Sequence, residues 1–350
     1  KLDAGIDCKP AIVKNHYTGD HEIVVQDVNN TLYLINPVGR ILWKKRLPEK
    51  IKSEIYQVDY YKNGKLQLLF NTKNNLHLID RNGNYVERYP LKLNSPATNG
   101  LSLFDYENNK NYRLFIACEN RKVVLFDVEG NIKTGWKFGK TDHPVTKEIQ
   151  HFRLKNKDYI VFFFFYRTYI LNRRGQVRVN VKEHFEISEK NNFILGKNKN
   201  PERLITTDTS GTVIEVFFDG TVKHKEIRVC SNQHWFNYQD IDGDNTGEYV
   251  FIDQNFLEVY DQKQKQLFSR SFDSEITDAP AFYLFSGGKH KIGTVTSDNK
   301  IHLVNSDGTY YKNFPLFGKS MFTIKVLEKH QNYFSLLTGG ESSLINYKLP

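Results

Sequence analysis

The chain is poor in the residues from which reactive sites are built. Three cysteines, three tryptophans and one methionine are spread over 350 residues. Cys8, Cys118 and Cys230 lie far apart, which excludes a disulfide framework and a CxxC metal site. Cys118 follows Phe115-Ile116-Ala117, a strand-like run where a buried inert thiol is expected. No apolar run approaches the roughly 18 residues that a membrane span needs. The longest, Tyr159 to Tyr166, has the length of a strand. A GxSxG elbow, an HExxH pair and a P-loop are all missing, so nothing specific points to an enzyme. The first residue is Lys1, without Met or a signal peptide, and the expectation is a processed chain or part of a larger one.

The net charge is +9. Such a balance suits nucleic acid, anionic lipid or acidic glycan when it is gathered on one face. Here the Lys and Arg residues are scattered through the whole chain. Arg173-Arg174 and Lys197-Asn198-Lys199 are short clusters in expected turns. A solvated basic surface is the better reading, and a nucleic-acid partner is not expected.

What the chain does have is a repeat. Gly39, Gly83, Gly130, Gly175, Gly220 and Gly308 sit in short polar turns, each after a strand-like run. Their spacings are 44, 47, 45, 45 and 88 residues, and the turn skipped by the last interval falls at Asp261-Gln262-Lys263-Gln264. A fixed period of this length with strand patterning predicts an all-β fold, a β-propeller of four-stranded blades. Asn-Gly and Asp-Gly turns predict hairpins between third and fourth strands. Pro10-Ala11, Pro96-Ala97, Pro144-Val145 and Pro280-Ala281 read as starts of first strands, where a residue without an N–H is tolerated. Continuous runs such as Tyr159 to Phe165 and Glu248 to Ile252 read as second strands covered on both faces. Phe and Tyr number forty-five, which suits half-buried strands.

Eight third strands can be counted. The eighth unit, about 319–350, stops after its third strand, while Lys1-Leu2 precedes Pro10 as Leu91-Lys92-Leu93 precedes Pro96. The preferred reading is therefore eight blades in one domain over 1–350, the last completed by the N-terminal segment. Seven blades with a poorly formed last unit is the alternative.

One stretch carries metal chemistry. Asp240-Ile241-Asp242-Gly243-Asp244-Asn245-Thr246-Gly247-Glu248 places carboxylates at positions 1, 3, 5 and 9 of a loop between the first and second strands of the sixth unit. Alternate positions in a tight turn can aim Asp240, Asp242 and Asp244 at one centre, with the Thr246 carbonyl and Glu248 adding oxygens. Hard oxygen donors in that number suit structural Ca²⁺ better than Mg²⁺, and the lack of His or Cys disfavours Zn²⁺. Four carboxylates this close also raise one another's pKa unless a cation compensates them. The same place in other units holds only remnants: Asp59 with Asn63-Gly64, Asp105 with Asn108-Asn109, and Asn15 with Gly19-Asp20-His21-Glu22.

The Asp-x-Asp-Gly-Asp loop, the Glu that opens an apolar strand and the following Leu257-Glu258-Val259-Tyr260-Asp261 resemble FG-GAP/VCBS-type propeller repeats, as does the stretch from Asp127 to Val145. Leu32 to Leu47 is similar to PQQ-like repeats, found in quinoprotein dehydrogenases and in an outer-membrane assembly lipoprotein. The resemblance implies a propeller from a bacterial exported or surface protein, in the periplasm or at the cell surface. It also implies Asp240, Asp242, Asp244 and Glu248 as calcium ligands. The chain departs from PQQ-like repeats in having few tryptophans and no adjacent cysteine pair, so a redox role is not expected.

Two functions follow. The first is a non-enzymatic, monomeric binding or scaffold module for a protein or glycan, with Trp136, Trp235 and Tyr310-Tyr311 as candidate contact points. The alternative is a carbohydrate-active lyase or glycosidase using the central channel, where Asp142, Glu275 and Asp278 lie near first strands. His77 and His302 recur at the same place in their units, which makes them repeat positions before catalysts.

Overall fold

The computed structural model describes residues 1–197, 201–285 and 288–349. Among them every regular element is a strand. The expected eight units appear as eight antiparallel sheets, each a simple up-and-down meander. The first holds β1 (Ala11–Lys14), β2 (His21–Gln26), β3 (Thr31–Ile35) and β4 (Ile41–Arg46). The second holds β5 (Tyr56–Val58), β6 (Gln67–Asn71), β7 (Asn75–Ile79) and β8 (Leu91–Lys92). The third holds β9 (Ser102–Phe104), β10 (Arg113–Ala117) and β11 (Val123–Phe126). Its fourth position is taken by the bridges Phe126↔Ile132 and Lys122↔Lys140. The fourth holds β12 (Gln150–Leu154), β13 (Lys157–Phe164), β14 (Arg167–Leu171) and β15 (Val177–Val179).

The fifth sheet holds β16 (Ile194–Gly196), β17 (Arg203–Thr207), β18 (Val213–Phe217) and β19 (Val222–Lys225). The sixth holds β20 (Trp235–Gln239), β21 (Glu248–Asp253), β22 (Phe256–Tyr260) and β23 (Gln266–Ser271). The seventh holds β24 (Ala281–Leu284), β25 (His290–Thr296), β26 (Lys300–Val304) and β27 (Leu316–Phe317). The eighth holds β28 (Thr323–Lys325), β29 (Phe334–Gly339) and β30 (Leu344–Leu349). This is an eight-bladed β-propeller fold. The chain forms two compact units, one of 1–162, 171–176 and 322–350, the other of 163–170 and 177–321.

The core follows the expected pattern. The second strands are buried throughout, as in β6, β17 and β21. Fourth strands alternate between exposed and half-buried residues, as in β4 and β23. Two of the four Pro-led starts are displaced. Ala11 and Ala281 do open β1 and β24, but β9 and β12 begin several residues after Pro96 and Pro144. Ala97 instead bridges to Cys118 of its own sheet, so the segment makes a turn's worth of contact before the first strand begins.

The eighth sheet is closed at one end by the N-terminal segment. Leu2 N–H donates to Ser342 O (2.9 Å) and Ile6 N–H to Gly340 O (3.3 Å). Leu93 donates to Asn74 O in the second sheet in the same way, and Phe272 to Asn255 O in the sixth. Leu2 and Ile6 are buried among Ile23, Val25, Tyr33, Ile35, Leu327 and Leu337.

A second device recurs in five of the units. The glycine of a third-to-fourth-strand turn is covered by the fourth strand of the preceding sheet or by the segment at that place. A Cβ on Gly83 would stand 3.0 Å from the Trp43 ring, and one on Gly308 2.7 Å from Phe268. Gly175 faces Trp136 and Phe138, Gly130 faces Leu91, and Gly220 faces Asn180. These glycines have positive φ, so the turn and the close approach both require them. Trp43 also donates Nε1–H to Arg81 O (2.8 Å) and Trp136 to Val123 O (2.9 Å). Trp43 and Trp136 thus serve as inter-sheet anchors, and Leu91 and Phe268 stand in elsewhere.

Candidate functional site: an acidic hairpin loop in the sixth sheet

Between β20 and β21 the chain turns through Asp240–Gly247. The carboxylates are organised by the backbone. Asp240 accepts from Gly243 N–H (2.7 Å) and Asn245 N–H (2.8 Å). Asp242 accepts from Asp244 N–H (3.1 Å), and Asp244 from Thr246 N–H (2.6 Å). Gly243 and Asn245 hold the positive φ that this tight winding needs. Asp240, Asp242 and Asp244 each offer an oxygen, and these oxygens lie within 4.8 Å of one another. His290 anchors the loop from β25, its Nδ1 on Asp240 O (2.7 Å) and its N–H on Ile241 O (3.0 Å).

Glu248 opens β21 and is buried. It accepts from Ile241 N–H (2.8 Å). Burial pushes its pKa up to about 7, opposed by that hydrogen bond and reinforced by Asp242, Asp240 and Asp244. Thr246 donates its N–H to Asp244, and its carbonyl is the candidate oxygen.

Other sheets show what this position does when the charge is met by protein. Glu22 opens the apolar part of β2 just as Glu248 opens β21, and is equally buried. It is held by Asn15 Nδ2 (3.1 Å) and by an ion pair with Arg81. Gln67 takes the place in β6 with no charge, accepting from Tyr60 N–H (2.9 Å). Asp158 is met by His151 (2.8 Å) and Arg173 Nε (2.7 Å). Arg203 is met by Glu215 (2.6 Å). The Asp59 loop, wound like Asp240 through Asn63 and Gly64, pairs with Lys110 (2.5 Å). Among the described residues, no cationic side chain forms an ion pair with Asp240, Asp242, Asp244 or Glu248. Sequence reasoning found the loop but not this contrast, because the compensating Arg81 and Lys110 lie in neighbouring sheets, 59 and 51 residues away.

The recurring histidines, the tryptophans and the cysteines pack into the sheets. His77 links Thr72 (3.2 Å) and Tyr85 (3.0 Å), and His302 links Thr296 (3.0 Å) and Tyr310 (3.1 Å). Burial lowers the pKa of both to about 4, so both are neutral. Trp136 stacks edge-on against Phe115, and Trp235 packs on the core of the sixth sheet with Lys190 over its ring. Tyr310 is tied to His302, so these aromatics pack rather than stand free. Cys118 and Cys230 are buried and their thiols are pushed up by burial, to about 11 and about 12. Asp142, Glu275 and Asp278 are exposed. Asn198 and Lys199 of the second basic cluster lie outside the described residues.

Two exposed aromatics on braced loops were not foreseen. Tyr17 and Tyr61 stand on the loops between first and second strands of the first two sheets, 68% and 49% exposed. The loops are braced: Leu66 N–H donates to His16 Nδ1 (3.2 Å), Arg81 lies 6.0 Å from the Tyr17 ring, and Tyr60 meets Tyr61 edge-on at 4.8 Å.

These sheets define a β-propeller, and solved propellers resemble the chain over its whole length. BamB from Moraxella catarrhalis superposes with a TM-score of 0.60 at 11% identity, covering 100% of this chain and 97% of that one. BBS1N in complex with ARL6DN superposes at 0.53 with 10% identity, covering 100% and 94%, in crystals soaked with lead and with mercury. No known protein family matches the sequence, and no curated protein does. At these identities the likeness establishes the fold.

Proposed function

We propose that the chain is a non-catalytic binding scaffold whose sixth sheet is clasped by a structural Ca²⁺ ion. The uncompensated charge at Asp240, Asp242, Asp244 and Glu248 supports the ion most directly. Where the protein supplies a cation it does so by name, with Arg81 for Glu22 and Lys110 for Asp59. In the sixth sheet the missing partner is a divalent ion bound by carboxylate and carbonyl oxygens. The three aspartates are partly solvated, which suits the weak sites of extracellular modules, about 10⁻⁴–10⁻³ M. That favours an exported protein working in the periplasm or at the cell surface.

The binding role rests on Tyr17 and Tyr61. Rigid, exposed tyrosines on braced loops are the usual anchors of protein interfaces. One structural neighbour is itself a propeller in complex with another protein, BBS1N with ARL6DN. The partner of this chain is therefore a protein, met by the loop face of the first two sheets. The test is affinity capture with the wild-type chain and a Tyr17→Ser/Tyr61→Ser variant. The variant should keep its melting temperature and lose a partner that the wild type retains. Identical retention by both would refute the assignment of this face.

A further inference from the structure

Lysines that lie far apart in the sequence are gathered where the first strands of the eighth, first and second sheets meet. A cavity of about 410 Å³ opens there, lined by Lys9, Lys14, Lys325, His21 and Glu54. The lysines arrive from three places. Lys9 comes from the segment before β1, while Lys14 and Lys325 each end the first strand of their sheet. Lys14 stands opposite His21 in the β1–β2 ladder, a placing in which like charges repel. Elsewhere in the first sheet and its approaches the protein supplies a partner: Lys44 pairs with Asp3 and Lys50 with Asp7, both at 2.7 Å. Among the described residues no carboxylate forms an ion pair with Lys9, Lys14 or Lys325.

The backbone around these lysines is fixed across sheets. Lys14 N–H donates to Gln57 Oε1 (2.6 Å), and Gln57 Nε2 donates back to Lys14 O (2.9 Å). Thr323 Oγ1 donates to Pro10 O (2.6 Å), which ties β28 to the segment carrying Lys9. His21 places Nδ1 3.0 Å from Val326 O, beside Lys325. Burial first, then Lys325 and Lys14, holds the His21 pKa below the ordinary histidine value, with Val326 O and Asp20 pulling the other way. The cations therefore act on one another inside the cavity.

We propose that this cavity binds a small soluble phosphate-bearing ligand, held by Lys9, Lys14 and Lys325. Ammonium groups arriving from separate directions match the tetrahedral oxygens of a phosphate. A planar carboxylate is better met by the fork of an arginine, and no arginine lines the cavity. An adjoining cavity of about 350 Å³ shares Lys9, Ala11, Glu54 and Ile55 with it, and this gives the organic part of the ligand a place. Glu54 stands at the junction and opposes the anion. The site shares no residue with the Tyr17/Tyr61 loops or the acidic loop.

Calorimetric titration of the intact protein with pyrophosphate at low ionic strength tests this and should show saturable binding. Lys14→Gln/Lys325→Gln should weaken it about tenfold or more. Both side chains are exposed, so the melting temperature should not change. Lys263→Gln/Lys312→Gln removes the same charge from other exposed positions and should leave the affinity unaltered. Glu54→Gln should tighten binding about threefold. Phosphatidylglycerol vesicles should not be retained through these lysines. An absence of saturable binding overturns the proposal, as do equal losses in the two double variants. Vesicle binding that only Lys14→Gln/Lys325→Gln loses overturns it too, because the ligand would then be a lipid headgroup.

Discussion

Single residues in this fold do the same work in several sheets, and the differences between them carry the information. His77 and His302 are one such pair, each a neutral ring bonded between a threonine and a tyrosine hydroxyl. Their folded pKa of about 4 lies below the unfolded value of 6.5. The unfolded state therefore binds the extra proton, and stability falls as pH drops from 6.5 towards 4. Above 6.5 the penalty is absent. His302→Phe should lose ~1–3 kcal/mol at pH 8, because Thr296 and Tyr310 lose a buried partner. Its loss on acidification should be shallower than that of the wild type. Urea unfolding at pH 8 and pH 4.5 measures both. The repeat position of the histidines was legible in the sequence, but their partners were not, since a hydroxyl five or six residues off leaves no pattern.

At the scale of the strand, several fourth strands join one sheet to the next through a side chain laid over a turn glycine. Trp43 covers Gly83 and bonds Arg81 O. Trp43→Ala removes both and leaves a void over a glycine that cannot fill it. The expected cost is ~2–3 kcal/mol by denaturant titration, and Gly83→Ala should destabilise as well, because positive φ and the ring oppose the added methyl. Hairpin glycines, buried second strands and amphipathic fourth strands were readable because each has a local cause: φ, two-sided burial or alternation. The late start of β9 and β12 was not, because Pro marks a permitted place for a strand to begin, not an obligatory one. The anchors were also hidden, since Trp, Phe, Leu and even a backbone carbonyl of Asn180 fill the same role.

For the molecule as a whole, the number of sheets and the use of the N-terminal segment in the eighth were both expected from counting third strands. Leu2 and Ile6 are buried where that segment meets β29 and β30. Removing Lys1–Asp7 should lower the melting temperature by several degrees, since each buried aliphatic side chain contributes ~1.5–3 kcal/mol. A truncated chain that melts like the intact one would contradict this role. Function was less legible than fold. The acidic loop was visible because its four carboxylates are contiguous, whereas Tyr17 and Tyr61 look like any half-buried strand aromatics until the hairpins place them at loop tips.

The calcium clasp is the claim on which the functional reading turns, and thermal melting tests it directly. Chelator-treated protein titrated with Ca²⁺ should melt at rising temperature and saturate, with Mg²⁺ far weaker, and Asp242→Ala should abolish the rise. A wild-type melting temperature indifferent to Ca²⁺, or an equal rise in Asp242→Ala, would contradict it.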